Sequence, residues 1–208
     1  MSVITCRSNQ LRGARELSLK RPTEEFYNYV GGSSGAWEVT AFSALRGEPL
    51  AAVAHVDIVN GRLDRIPTAA SWILSGLVRN TRYVTREELV PPGKRRSVAV
   101  SPSPTCAALI PIRRSAAWWD LDVEARRELQ HPQSQRAPFG LQYLQYLSAM
   151  IHRWQHRRDL SDQLDSVTWF EYEPRDATAF DDLLADWRAS EEWKYIDREC
   201  DIRLVRCA

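Results

Sequence analysis

The chain has 208 residues, 44% of them hydrophobic, enough to bury a core either as one compact domain or as two small halves packed together. Lys plus Arg total 28 against 27 Asp plus Glu, and a formal net charge of +1 excludes the long-range field that gathers nucleic acid or an anionic membrane surface. The first twenty residues carry Arg7, Arg12, Arg15 and Lys20 without an apolar run of signal-peptide length, and no later segment has the roughly eighteen apolar residues of a membrane span, so a soluble cytoplasmic protein without nucleic-acid or membrane partners is expected.

Residues 1–24 are polar, lack a sustained period and read as an arm. Gly31-Gly32-Ser33-Ser34-Gly35 marks a turn, after which Trp37, Val39 and Ala41 alternate with more polar partners, as a half-buried strand would. An apolar run over 50–59 closes on Asn60-Gly61, a dipeptide suited to a tight hairpin because both positions tolerate positive φ, and predicts a strand pair. Residues 71–85 offer a third strand region, and 91–104, rich in Pro, Ser and basic residues, a surface loop. A short strand is expected over 106–112. The block 116–129, acidic first and basic later, has the charge order that the helix dipole prefers, with Trp118, Leu121 and Val123 as its apolar side. A longer helix is predicted over 139–160, where Leu141, Leu144, Leu147, Ile151 and Trp154 recur at spacings of three and four. Residues 167–173 are β-branched and aromatic, hence a strand, and Pro174 stops it. Asp176 is placed to cap a helix carrying Phe180, Leu183, Leu184 and Trp187. The segment 193–207 alternates Cys200, Ile202 and Leu204 against Asp201, Arg203 and Val205 and closes the chain as a strand. These elements predict an α+β fold with a mainly antiparallel sheet and helices on one face. Cys6, Cys106, Cys200 and Cys207 form no CxxC and fit reduced thiols better than a disulfide framework or zinc site.

Several stretches together resemble the chlorite dismutase family, in particular its short, dimeric branch: Tyr29-Val-Gly-Gly32 with Trp37, 80–86 (NTRYVTR), 107–119 (AALIPIRRSAAWW), 168–172 (TWFEY), and 191–199 (EEWKYIDRE) with 201–204 (DIRL). The resemblance implies two ferredoxin-like halves, 25–113 and 114–208, whose sheets join into a barrel. It also implies haem b in the second half, a homodimer, and decomposition of chlorite to chloride and dioxygen, with haem peroxidases and porphyrin decarboxylases as relatives of the same fold. A proximal His ligates the iron there, a carboxylate hydrogen-bonds it, and a distal Arg holds anionic oxidant.

Carried over by position, Arg114 falls where the family has a Lys contacting a haem propionate, and Trp118 on its Trp near the haem; Tyr83 is a further candidate wall, as are Trp169 and Trp187. Glu191 or Glu192 is the carboxylate behind the proximal ligand. The proximal position itself holds Arg136, which stays protonated and offers no lone pair to iron. The distal Arg becomes Ala149 counted forward from Arg136 and His152 counted backward from Asp159-Leu160. The two counts differ by the length of one unit of the Gln-Tyr-Leu repeat at 142–147.

His131, His152 and His156 remain as replacement ligands, and a helix would put His152 and His156 on one face. Arg136 opposite Glu191 or Glu192 forms either a buried ion pair that plugs the site or, with Arg114 and His152, a receptor for the carboxylate or phosphate of an organic substrate. Three readings follow. In the leading one the standard haem site is lost and the barrel cavity binds or transforms another small molecule, with His152 as a conceivable general base acting with a nearby Glu. In the second, haem b is kept through another axial ligand. In the third, the protein is a non-catalytic binding partner or scaffold.

Overall fold

The computed structural model describes residues 26–63, 65–77, 105–130 and 163–207, together with the backbone of 150–156. Among these residues, eight strands close into a barrel with the order β1-β3-β2-β8-β5-β7-β6-β4. They are β1 (Phe26–Gly32), β2 (Trp37–Arg46), β3 (His55–Asn60), β4 (Ala70–Leu77), β5 (Cys106–Arg114), β6 (Met150–His156), β7 (Ser166–Tyr172) and β8 (Ile196–Arg206). Every pairing is antiparallel. The first four strands stand in the order β4-β1-β3-β2 and the last four in the order β6-β7-β5-β8, so each block repeats the same internal arrangement.

Strand alternation decides which side chains fill the ring. Tyr29, Trp37, Val56, Leu74, Leu109, Val167, Trp169, Ile202 and Leu204 converge in one buried cluster inside the barrel, so its interior is packed core. Trp169 anchors it, stacked on Tyr29 at 5.3 Å and edge-on to Trp37 at 5.2 Å, with its indole N–H donated to Glu171 at 2.8 Å. The glycine pair of β1 serves the same packing: a methyl group on Gly31 would run into the ring of Trp72, whose Nε1 donates to the Ala51 carbonyl at 2.9 Å.

The outward side of β5 and β7 is also apolar. Ala108, Ile110, Ile112, Phe170 and Tyr172 pack under Phe180, Leu183 and Leu184 of helix α3 (Ala177–Arg188), with Trp193 and Ile196 closing the cluster. Asp176 occupies the N-cap position of α3, although its side chain makes no capping hydrogen bond. Beside this cluster, β8 turns a charged row toward α3. Arg188 bridges Glu199 at 2.7 Å and Asp201 at 2.8 Å, Arg203 bridges Asp201 at 2.6 Å and Asp181 at 2.8 Å, and the Trp193 indole donates to Glu199 at 2.8 Å. Burial pushes the Asp201 carboxyl upward, but hydrogen bonds and charge from Arg203, then Arg188, outweigh it and hold the group below its ordinary value.

Four expectations are corrected. Asn60-Gly61 makes no hairpin: Gly61 has φ +84° and its N–H extends the β1 ladder by donating to the Phe26 carbonyl at 2.7 Å, whereas β4 joins the far side of β1. The single helix over 116–129 is two, α1 (Ala116–Asp120) and α2 (Val123–Gln130), because Leu121 is extended and the Asp122 carboxylate caps α2 through the Ala125 N–H at 2.6 Å. Its expected apolar side reduces to Trp118, with Val123 56% exposed. Residues 150–156 are strand, not helix. The i, i+3 apolar pattern is overridden there by pairing with β7, from Met150↔Tyr172 to His156↔Ser166. On a strand the Cα atoms of His152 and His156 lie roughly 13 Å apart, which removes the expected chelation from one helix face. The arm, the loop over 91–104, the helix segments 139–149 and 157–160, and 78–85 lie outside the described residues. Cys106, Cys200 and Cys207 are free thiols, as expected for reduced cysteines. Among the described residues no helix is long and apolar enough to cross a membrane.

Candidate functional site

At the end of β5, the outward row of Ile110 and Ile112 reaches Arg114. The Arg114 backbone N–H donates to the Asp165 carboxylate at 2.5 Å, and the Asp165 N–H returns a bond to the Ile112 carbonyl at 2.9 Å, which fixes the strand end against the start of β7. The guanidinium then meets Glu192 of the 3-10 segment Glu191–Tyr195, with Nη2 to Oε1 at 2.5 Å and side chains only 5% and 11% exposed. Gln130, the last residue of α2, approaches the same oxygen at 3.5 Å.

Trp118 of α1 is 2% exposed and lies under the cation, 4.8 Å from its ring centroid to the guanidinium carbon. Its other edge meets Tyr195 at 5.7 Å, whose carbonyl accepts the Ser115 N–H at 2.7 Å. Strand β5, helices α1 and α2 and the 3-10 segment are thus tied together through one buried ion pair. In low dielectric such a pair holds because each charge is the other's compensation.

The structure separates the two glutamates. Glu192 is buried against Arg114, whereas Glu191 is 68% exposed and pairs with Lys194 at 2.6 Å. Arg114 and Trp118 come together as the carry-over places them. Trp169 lies in the barrel core, and Trp187 packs on Trp193 at 4.4 Å over α3, so neither belongs to this site. Arg136, Tyr83, Ala149 and His131 lie outside the described residues. His152 sits on β6 as the register partner of Phe170. Among the described residues no cluster of His, Cys, Asp or Glu could hold a metal ion.

Comparison of the fold with solved structures finds a dimeric chlorite dismutase from Nitrobacter winogradskyi, 38% identical over 87% of this chain and 99% of that one, with a TM-score of 0.70. The chain belongs to the chlorite dismutase family. A mutant chlorite dismutase from Candidatus Nitrospira defluvii matches at 18% identity over 88% of this chain and 92% of that one (TM-score 0.53), and the enzyme of the same organism in complex with imidazole at 17%, with the same coverage (TM-score 0.52). These more distant matches speak for the fold alone. Neither the family models nor the curated proteins searched include a match.

The haem of the chlorite dismutase family is not fitted by the residues at this site. The cation expected to face a propionate is turned onto Glu192, and that carboxylate, expected to face a proximal imidazole, already has a guanidinium as its counter-charge. Asp165, Gln130, Ser166 and Thr168 are neighbours that sequence reasoning missed. Asp165 and Gln130 sit in segments with no motif of their own, and only the register places the two hydroxyls beside Ile112 and Ile110.

Proposed function

We propose that this member of the chlorite dismutase family lacks the standard haem site and binds or transforms a small organic molecule, as a homodimer. The packed barrel interior moves the site from the expected cavity to the space against the outward faces of β5 and β7, next to Arg114 and Trp118. The observation that supports this reading is the buried Arg114–Glu192 pair at 2.5 Å. A second-shell carboxylate raises the basicity of an axial imidazole by presenting uncompensated negative charge to its far N–H, and a propionate clamp needs a guanidinium with a free fork. Here each of these groups answers the other. Arg136, at the position of the proximal ligand, removes the lone pair that iron needs.

The test is a dioxygen-electrode assay with chlorite, run on protein supplied with excess haem and then desalted. The reading expects no dioxygen release above that of an equal amount of free haem; catalytic release that depends on the folded protein contradicts it.

A further inference from the structure

Two hydroxyls and one N–H on the outward side of the sheet are left without partners. Alternation along β7 turns Val167 and Trp169 inward and Ser166, Thr168 and Phe170 outward. Ser166 and Thr168 are both 0% exposed, and neither hydroxyl has a hydrogen-bond partner among the described residues. Their register partners on β5 are Ile112 and Ile110, and two residues beyond Ile112 stands Arg114, whose Nε is likewise buried and unpartnered among the described residues. Three donors therefore follow one line along the sheet, spanning roughly 13 Å at the rise of a strand. Buried polar groups are normally satisfied, and three orphans in one row mark a place where something else supplies the acceptors.

The charges nearby select what that is. Arg114 is balanced by Glu192, and Asp165 adds a second buried carboxylate on the Arg114 backbone N–H, so the three charges leave no positive excess. An anion entering here would meet uncompensated carboxylates in low dielectric, whereas a neutral carbonyl or hydroxyl oxygen would satisfy the orphaned donors without that cost. Ile110 and Ile112 beneath, with Trp118 at the Arg114 end, suit an apolar ring or chain.

We infer that Ser166, Thr168 and Arg114 Nε form the hydrogen-bonding floor for an uncharged, oxygen-bearing organic molecule. This inference deepens the proposed function and rests on it. It departs from the expectation that Arg114 receives a carboxylate or phosphate. Because the hydroxyls are fully shielded, the occupant is enclosed.

The test uses the full chain and two nearly isosteric probes, 4-hydroxyacetophenone and 4-hydroxybenzoate, titrated at neutral pH by calorimetry. The ketone is expected to bind at least about tenfold more tightly than the acid. Thr168→Val should weaken the ketone about five- to tenfold while leaving the melting temperature of the free protein unchanged or raised, because it removes an orphaned hydroxyl. Tighter binding of the acid, unchanged ketone affinity in Thr168→Val, a lowered melting temperature in that variant, or binding of neither probe at millimolar concentration (buried water only) each overturns the inference. Stoichiometric haem uptake would instead overturn the functional reading, so the two failures are distinguishable.

Discussion

Removing one side of the Arg114–Glu192 pair should be far more damaging than removing both. With 5% and 11% side-chain exposure, neither group is screened by solvent, so Arg114→Met strands a carboxylate and Glu192→Leu strands a guanidinium. Each single change should cost about 3–5 kcal/mol. In a chain of this size that corresponds to a drop of about 6–20 °C in melting temperature. Arg114→Met should be the worse of the two, because it also removes the cation over Trp118, worth about 0.5–2 kcal/mol, whereas Glu192→Leu leaves the guanidinium on that ring. The double variant should return to within about 1 kcal/mol of the parent, since two apolar side chains replace two mutually compensated charges. Urea unfolding followed by circular dichroism gives all four corners of the cycle. Single costs below about 1 kcal/mol, as for an exposed pair, or a double cost equal to the sum of the singles, would refute the reasoning.

Asp201 gives a pH signature: its carboxyl is held below the ordinary 3.8 by Arg203 and Arg188, so its contribution is fully present above that value and lost as pH falls through the lower folded value. Asp201→Asn should therefore lower the urea midpoint at pH 5 and flatten its decline in acid, and parallel pH profiles for parent and variant would contradict this. Gly31→Ala should cost about 1–3 kcal/mol through the Trp72 ring and lose most of that cost when Trp72 is first changed to Ala, as read from unfolding midpoints. Arg136→His restores a lone pair at the proximal position and should raise haem retention on desalting above that of the parent. Equal retention would place the obstacle elsewhere.

The parts of the fold most legible in the sequence were those where pattern and packing agree. β5, β7 and α3 each present an apolar face with the period of their own element, and both faces of the sheet are buried there. The failures came where long-range pairing decides. Ile151 and Trp154 have helical spacing, but β7 needs a second neighbour between β5 and β4, and 150–156 supplies it as strand. Asn60-Gly61 has the chemistry of a hairpin, yet the strand order sends the chain across β1 before β4 begins. At the site, the motif around Arg114 and Trp118 was readable because it is contiguous. That Glu192 and not Glu191 turns inward depends on the 3-10 geometry of five residues, and the hydroxyl row depends on the β5–β7 register; neither is encoded locally.

The account rests on a site whose cation and carboxylate neutralise each other instead of framing an iron porphyrin. The most direct measurement is the visible spectrum and haem stoichiometry of protein produced with ample haem and then desalted. The account predicts no Soret band beyond trace adsorbed haem. One haem per chain surviving desalting, with the axial signature of a protein ligand, would contradict it.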